Sequence, residues 1–201
     1  MDERKVKFII MINLKYIIES CLPYWPKIQL SKKDINLINN KCIDIVNVKK
    51  GETHHINDSK QIDERFTIGK WAEVALQRFL EIDFIDLSVG TSKDNSIPDL
   101  RLIGLDIGIK TSNYIKNNSA VILRDKNEPQ VITLYLENRV FAICGYADIE
   151  ILKRYRSDSL IKNKDMLIRK TGFYGYDKLT MFNNFRELQD LAIDYIIYKD
   201  K

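Results

Sequence analysis

The sequence predicts an α/β (α+β) domain in which a central mixed β-sheet is flanked by helices. Apolar residues recur at three-and-four spacing over 66–80 and again over 184–198, which is the period of an amphipathic helix. Between these two segments, short β-rich runs alternate with polar turns. An order of helix, strands and helix is typical of a sheet with helices packed against it.

The length and composition indicate one folded domain. The chain has 201 residues, of which 45% are hydrophobic and 30% are charged. A chain of this size buries enough apolar surface to fold alone. We expect an N-terminal helical region over 1–62, packed on a core over 63–201 that ends in a C-terminal helix. The net charge of +4 permits nucleic acid as a partner but does not require it.

Cysteine usage and hydropathy predict a cytoplasmic protein. Cys21, Cys42 and Cys144 are far apart and form no CxxC pair, so the sequence suggests neither a zinc site nor a disulfide framework. A reducing compartment is the simple inference. No stretch reaches the roughly 18 apolar residues of a membrane span. The abundance of Lys, Ile and Asn fits an AT-rich bacterial or phage genome.

The N-terminal half is predicted to be mainly helical. Ser31 followed by Asp34 has the pattern of a helix start, with an acidic residue three places after a serine. The predicted elements in this half are a helix or strand over 5–20, a helix over 31–49, a polar surface loop over 50–62, the helix over 66–80 and a strand over 84–89.

The C-terminal half is predicted to be mainly β-structure. Its expected elements are strands over 99–103, 105–111, 120–124 and 131–137, a β-rich run from residue 139 that continues after 146 as strand or as helix, and a helix over 184–198.

The stretch over 97–112 reads IPDLRLIGLDIGIKTS and contains most of the candidate catalytic residues. If 105–111 is a strand, Asp106, Gly108, Lys110 and Ser112 share one face, because side chains alternate along a strand. Asp99 opens the neighbouring predicted strand. Carboxylates and an ammonium group aimed together suit a divalent cation beside a phosphate, because Mg²⁺ prefers oxygen ligands and a lysine stabilises developing negative charge.

The order of these groups carries a family resemblance. Glu73 on a helix, then Pro98 and Asp99, then a strand that ends in Lys110 and a Thr-Ser pair resembles the PD-(D/E)XK nuclease superfamily. The similarity covers roughly residues 66–150. It implies a restriction-endonuclease-like fold in which Asp99 and Glu73 hold divalent metal and Lys110 assists the attacking water.

The resemblance departs at one position. The superfamily has its second acidic residue two places before the lysine, where this sequence has Gly108. Asp106 is the nearest substitute on the same strand face, about 6.5 Å away along a strand. It would need a longer reach or a bulge to bring an oxygen to the metal. Either the acid has moved to Asp106, or the domain binds without cutting.

The resulting hypothesis is a Mg²⁺-dependent nuclease that cuts DNA. Asp99, Asp106 and Glu73 are its expected metal ligands, Lys110 acts on the water or the phosphate, and Mn²⁺ substitutes for Mg²⁺. RNA is a second candidate substrate, and a homodimer is a candidate assembly because many members of the superfamily dimerise to cut both strands. The alternatives are a nuclease-like domain that only binds nucleic acid or a protein, and an interaction protein without a nucleic-acid role.

Basic residues after the strands are the expected nucleic-acid contacts. Lys153, Arg154 and Arg156, with Ser112 beside the motif, are assigned to this surface, and a second basic group follows over 162–170. Aromatic residues lie among these groups, and positive charge next to aromatic rings suits phosphate contact and base stacking. The alternative is a solvated face whose tyrosines pack on the core.

A few other residues are candidate metal ligands by residue type alone. His54 and His55 are adjacent in the polar loop, where surface histidines without a partner are the ordinary case. Gln130 and Glu137 bracket the strand predicted over 131–137, so a side chain at either end could reach a metal across the sheet.

Overall fold

The computed structural model describes six segments of the chain, which are residues 14–40, 59–85, 97–116, 119–125, 127–161 and 164–199. Within them, a four-stranded mixed sheet and a three-stranded antiparallel sheet are flanked by helices. The predicted α+β class with a mixed sheet is therefore confirmed.

The elements are numbered in chain order. The helices are α1 (14–21), α2 (32–40), α3 (Ser59–Leu80), α4 (Ile149–Arg154) and α5 (Phe185–Lys199). The strands are β1 (Lys27–Gln29), β2 (Gly108–Asn113), β3 (Ala120–Leu123), β4 (Gln130–Tyr135), β5 (Val140–Ala147), β6 (Arg156–Ser157) and β7 (Lys170–Phe173).

The mixed sheet has the strand order β1–β5–β4–β2, so β2 lies at one of its edges. β2 runs parallel to β4, whereas the β4–β5 and β1–β5 pairs are antiparallel. In the parallel register, Gly108 stands opposite Gln130 and Lys110 stands opposite Ile132. This register decides which side chains meet at the beginning of β2.

Each face of the mixed sheet has its own apolar core. Ile109 and Val131 lie on the face that packs against α3 and α5. Ile132 and Leu134 lie on the opposite face, which packs against α1 and the three-stranded sheet. Because side chains alternate along a strand, Lys110 belongs to the face of Ile132 and not to the face of Ile109.

Helix α3 carries the apolar stripe that the sequence predicts. Ala72 and Leu76 are fully buried within it. The helix begins at Ser59, so the loop expected over 50–62 is wrong for 59–62, and the boundary expected after residue 62 falls inside a helix. Its first turns are rich in Lys, Gln, Glu and Arg, which form helix well without leaving an apolar period to detect.

The N-terminal region contributes a strand as well as helices, because β1 adds to the mixed sheet beside β5. Helix α2 begins with the predicted capping pair. The Asp34 amide donates to Ser31 Oγ at 3.1 Å, and the Ser31 amide donates to Asp34 Oδ2 at 3.1 Å. The remaining parts of the helices expected over 5–20 and 31–49 lie outside the described residues.

The structure overturns the strand expected over 99–103. Arg101–Ile103 form a 3₁₀ turn that ends at Gly104, whose φ is 82°. A left-handed glycine reverses the chain at low steric cost. The strand that follows therefore begins only at Gly108, and Asp106 lies before the strand instead of on it.

The later elements follow the predictions closely. The strands expected over 120–124 and 131–137 occur as β3 and β4, and the last helix occurs as α5. The β-rich run from residue 139, which the sequence predicted to continue as strand or as helix, forms β5 and then α4. Asp148 makes this change possible, because its Oδ1 accepts from the Ile151 amide at 2.7 Å and caps the helix.

Some expectations fall outside the described residues. These include most of the strand expected over 84–89, of which residues 84 and 85 have no regular structure, and also Cys42 and the His54–His55 pair. Among the helices that the structure describes, none combines the length and apolar character needed to cross a bilayer.

The Tyr176 hydroxyl joins the two sheets and provides a stability test. It lies 2.8 Å from Ser112 Oγ on β2 and accepts from the Ala120 amide on β3 at 3.2 Å. Tyr176→Phe leaves both groups without this partner, so we expect the free energy of unfolding to fall by about 1–3 kcal/mol. Urea unfolding measures it. Tyr16→Phe is the control, because Tyr16 is 72% exposed, and an equal effect of both changes would contradict the assignment.

Candidate active site

Asp99 is held against the outer edge of β2. The Gly108 amide donates to the Pro129 carbonyl at 3.0 Å, on the β4 side of the strand. The next amide, that of Ile109, faces away from β4, and it donates to Asp99 Oδ2 at 2.6 Å. The turn before β2 therefore presents the Asp99 carboxylate at a fixed place beside the strand.

Lys110 reaches back to the same outer edge. Its Nζ donates to the Ile109 carbonyl at 3.1 Å, so one residue of the backbone anchors both Lys110 and Asp99. The Lys110 side chain is half-buried. A carboxylate and an ammonium group thus stand at the same point of the strand edge.

Glu73 completes this group from α3. Its side chain is 12% exposed, and Lys70 Nζ lies 2.7 Å from its Oε2. Burial raises the pKa of Glu73 to about 7, because the charged form loses solvation. The charge of Lys70 opposes this rise, the charge of Asp99 adds to it, and the charge of Lys110 opposes it. Asp99 and Lys110 therefore both lie within electrostatic range of the Glu73 carboxyl.

The structure thus brings Glu73, Asp99 and Lys110 together but leaves Asp106 out. The Asp106 side chain is 66% exposed and forms an ion pair with Arg101. The expectation that Asp106 lies on the same strand as Lys110 is wrong, because β2 begins only at Gly108. Asp106 is a surface residue between the 3₁₀ turn and β2.

Two side chains from the beginning of β4 occupy the space beside Gly108. A Cβ added at Gly108 would lie 2.5 Å from Gln130 Oε1 and 2.7 Å from Glu128 Oε1. Glu128 is only 8% exposed, which is rare for a carboxylate. Sequence analysis singled out Gln130 and missed Glu128, which precedes Pro129 in an apparent turn. Glu128 is recognised only from the parallel register of β2 and β4, and no local sequence pattern predicts that register.

Glu128 and Gln130 are bonded to each other. Gln130 Nε2 donates to Glu128 Oε1 at 3.0 Å and to the Glu128 carbonyl at 3.3 Å. Gln130 is 3% exposed, and its Oε1 has no hydrogen-bond partner among the described residues. A buried amide oxygen without a donor is unusual and needs an explanation.

Lys110, Glu128 and Gln130 line a cavity of about 20 Å³, which is room for one water-sized group. The other polar side chains that line it are Arg124, Lys153 and Arg156. The lining carries four cations and one carboxylate, and two of the cations, Arg124 and Lys153, form ion pairs with Asp158 and Glu150 outside the lining. The remaining positive charge attracts anions.

The residues expected to contact nucleic acid lie in different surroundings in the structure. Lys153 and Arg156 line the cavity, whereas Arg154 is exposed outside it. Ser112 is 2% exposed and its hydroxyl bonds with Tyr176, so the expectation that it contacts nucleic acid is wrong. The register that puts Lys110 beside the cavity sends Ser112 into the core.

Some of the aromatic residues among these basic groups are buried and others are partly exposed. Phe173 and Tyr176 are core residues with 0% and 1% exposure. Tyr155 and Tyr174 are partly exposed and pack edge to face, with ring centroids 5.9 Å apart. Phe173 and Tyr176 therefore pack in the core, as the alternative interpretation expects.

The donor set at the strand edge suits a hard cation. Carboxylate oxygens, such as those of Asp99 and Glu73, are the protein ligands that Mg²⁺ prefers. Within the described segments, no three His, Cys, Asp or Glu side chains stand close enough together to form a ligand set. Glu137 follows the far end of β4 from Gln130, and the two histidines lie outside those segments.

Comparison of the chain with models of protein families, with curated proteins and with solved structures gave no significant match.

The raised pKa of Glu73 makes stability depend on pH. The folded protein keeps a proton with a pKa of about 7 that the unfolded chain releases near 4.5. This contribution to the free energy of unfolding is complete below 4.5 and is lost as the pH rises to about 7. Its size is about 3 kcal/mol. In metal-free Glu73→Gln the loss is absent, so the variant should gain stability relative to wild type as the pH rises.

Urea unfolding at pH 4.5, 6 and 8 measures this difference. Glu150→Gln controls for the removal of one surface charge, since the Glu150 side chain is 83% exposed. A difference between Glu73→Gln and wild type that is the same at all three pH values would contradict the raised pKa.

Proposed function

We propose that the protein is a metal-dependent nuclease of the PD-(D/E)XK type, which hydrolyses phosphodiester bonds in DNA. The supporting observation is that Glu73, Asp99 and Lys110, taken from a helix, a turn and a strand, meet at the edge of β2. The mixed sheet between helices is compatible with a restriction-endonuclease-like fold.

Asp99 and Glu73 would hold Mg²⁺, for which Mn²⁺ substitutes. The ion, when bound, supplies a bound water of lowered pKa and offsets charge on the phosphate. Asp99 is oriented for this role by its bond to the Ile109 amide. Lys70 keeps the Glu73 carboxyl in place, and the Lys110 ammonium group stabilises negative charge that develops on the phosphate.

The positive cavity beside Lys110 supports a polyanionic substrate. Arg124, Lys153 and Arg156 line it together with Lys110, and their charges favour phosphate groups. DNA is the proposed substrate and RNA the alternative. The proposed location is the bacterial or phage-infected cytoplasm, and the proposed assembly is a homodimer that cuts both strands.

A second candidate function is nucleic-acid binding without catalysis. The observation that favours it is Gly108, which stands where the superfamily has an acidic ligand. A domain of this kind would bind DNA with an affinity that falls steeply with salt, and Asp99→Ala would leave that affinity intact.

Cleavage by a Lys110 variant separates the two functions. We expect wild type to cut plasmid, linear or single-stranded DNA with Mg²⁺ or Mn²⁺ and to stop when EDTA is added. Lys110→Met should lower the cleavage rate about 100-fold, because it removes the cation beside the phosphate. Lys32→Met, at an exposed position of α2, is the matched control. A wild type that cuts none of these substrates, or a Lys110→Met that cuts equally fast, would exclude the nuclease.

The cavity also predicts which cations contact DNA. Lys153→Gln and Arg156→Gln should each weaken binding and reduce the slope of log affinity against log salt by about 1, because each removes one phosphate contact. Arg154→Gln, on the helix of Lys153 but outside the cavity, is the control. Fluorescence anisotropy in Ca²⁺ or EDTA measures binding without cleavage, and equal effects of all three changes would contradict the assignment.

A further inference from the structure

We propose that Glu128 is a specificity-determining residue, which makes the cavity beside Lys110 accept a phosphodiester inside a strand and reject a terminal phosphate. A terminal phosphate is a phosphate monoester at the end of a strand. This inference rests on the proposed function and deepens it, because it names the kind of phosphate group that the cavity takes.

The charge of the cavity is the first observation. Among the described side chains, its lining contains one carboxylate, that of Glu128, and four cations. The cations are Lys110, Arg124, Lys153 and Arg156. Arg124 pairs with Asp158, which lies outside the lining, and Lys153 Nζ lies 3.6 Å from Glu150 Oε1. These four cations and three carboxylates leave one net positive charge, and two would remain without Glu128.

A phosphodiester and a terminal phosphate differ in charge. A phosphodiester carries one negative charge, whereas a phosphate monoester carries about 1.5 to 2 at pH 7, because its second pKa is about 6. One net positive charge balances the phosphodiester but leaves a terminal phosphate with negative charge in excess. Excess charge in a partly buried site is unfavourable, because the low local dielectric strengthens the repulsion. The Glu128 carboxylate therefore disfavours a terminal phosphate.

The Glu128 side chain is held in place, so it cannot turn away from an anion that enters. The residue is 8% exposed, and its Oε1 accepts from Gln130 Nε2 at 3.0 Å. The same oxygen lies beside Gly108, where an added Cβ would be 2.7 Å from it. Pro129 restricts the Glu128 backbone to extended conformations, and the Pro129 carbonyl accepts from the Gly108 amide at 3.0 Å. An exposed acid would swing into water, whereas Glu128 keeps its charge at the cavity.

The size and the walls of the cavity favour the same choice. Its volume of about 20 Å³ admits one water-sized group, such as a single phosphate oxygen. The rest of the phosphate then stays at the mouth. The apolar part of the lining consists of Ile122, Leu123, Ile149 and Leu152. These side chains donate no hydrogen bonds, so they cannot satisfy the additional charged oxygen of a monoester.

Displacement of a labelled DNA strand by short competitors tests the inference. The strand is bound in Ca²⁺, and fluorescence anisotropy follows its release by thymidine hexamers that carry no terminal phosphate, a 5′-phosphate or a 3′-phosphate. Wild type should bind the three hexamers with affinities within about twofold of each other, because all three bind through internal phosphodiesters. Glu128→Gln should bind the hexamers with a terminal phosphate about tenfold more tightly than the hexamer without one, because one more positive charge then remains.

Glu150→Gln is the matched control. It removes a negative charge beside Lys153 but leaves the lining unchanged, and the Glu150 side chain is 83% exposed. Because solvent screens this charge, the ratio of the hexamer affinities should stay as in wild type. Glu128→Ala is a second variant at the cavity, and circular dichroism and urea midpoints establish that each variant is folded. If neither Glu128 variant folds, the ratio in wild type decides the question.

The outcomes separate this inference from the proposed function. A preference for terminal phosphates that arises in Glu128→Gln and not in Glu150→Gln supports the role of Glu128, even in a protein that cuts no DNA, for which the nuclease is excluded. Cleavage in Mg²⁺ together with the same ratio in wild type and Glu128→Gln overturns the role of Glu128 and leaves the nuclease standing. The inference is also overturned by a wild type that already prefers a terminal phosphate, or from which no hexamer displaces the labelled strand.

Discussion

The parallel register of β2 on β4 is the constraint on which the candidate site depends. It sets Gly108 opposite Gln130 and joins the Gly108 amide to the Pro129 carbonyl. Because backbone groups alternate along a strand, the Ile109 amide and carbonyl must then face the outer edge. Asp99 and Lys110 use these two groups as anchors. A shift of the register by one residue would turn Lys110 toward the helices and remove both anchors from this edge.

The charges around Glu73 act on its pKa in opposite directions. Burial disfavours the ionised form of the Glu73 carboxyl group, and the nearby charge of Asp99 adds to this effect. Lys70 and Lys110 offset part of this repulsion. A core built only for stability would place apolar residues here, since a buried charged group costs more than its partner returns. A buried carboxyl group with a raised pKa is typical of a functional site, where stability is lost for chemistry.

Local patterns predicted much of the fold and part of the site. The stripe on α3, the Ser31–Asp34 cap and the C-terminal helix all depend on residues within a few positions of each other, and all three occur. The 3₁₀ turn before β2 was missed because its apolar residues alternate as they would in a strand. Only the left-handed Gly104 breaks the pattern, and a single glycine also fits a hairpin. Asp106 was misplaced for that reason.

Glu128 could not be found from the sequence because its partner Gly108 is twenty positions away and the two meet only through strand pairing. A glutamate at the start of β4 has a longer side chain than an aspartate on β2, and it crosses the distance between strands only if the facing residue has no side chain. In the folded chain, the absence of a side chain at Gly108 leaves the space that the Glu128 and Gln130 side chains occupy.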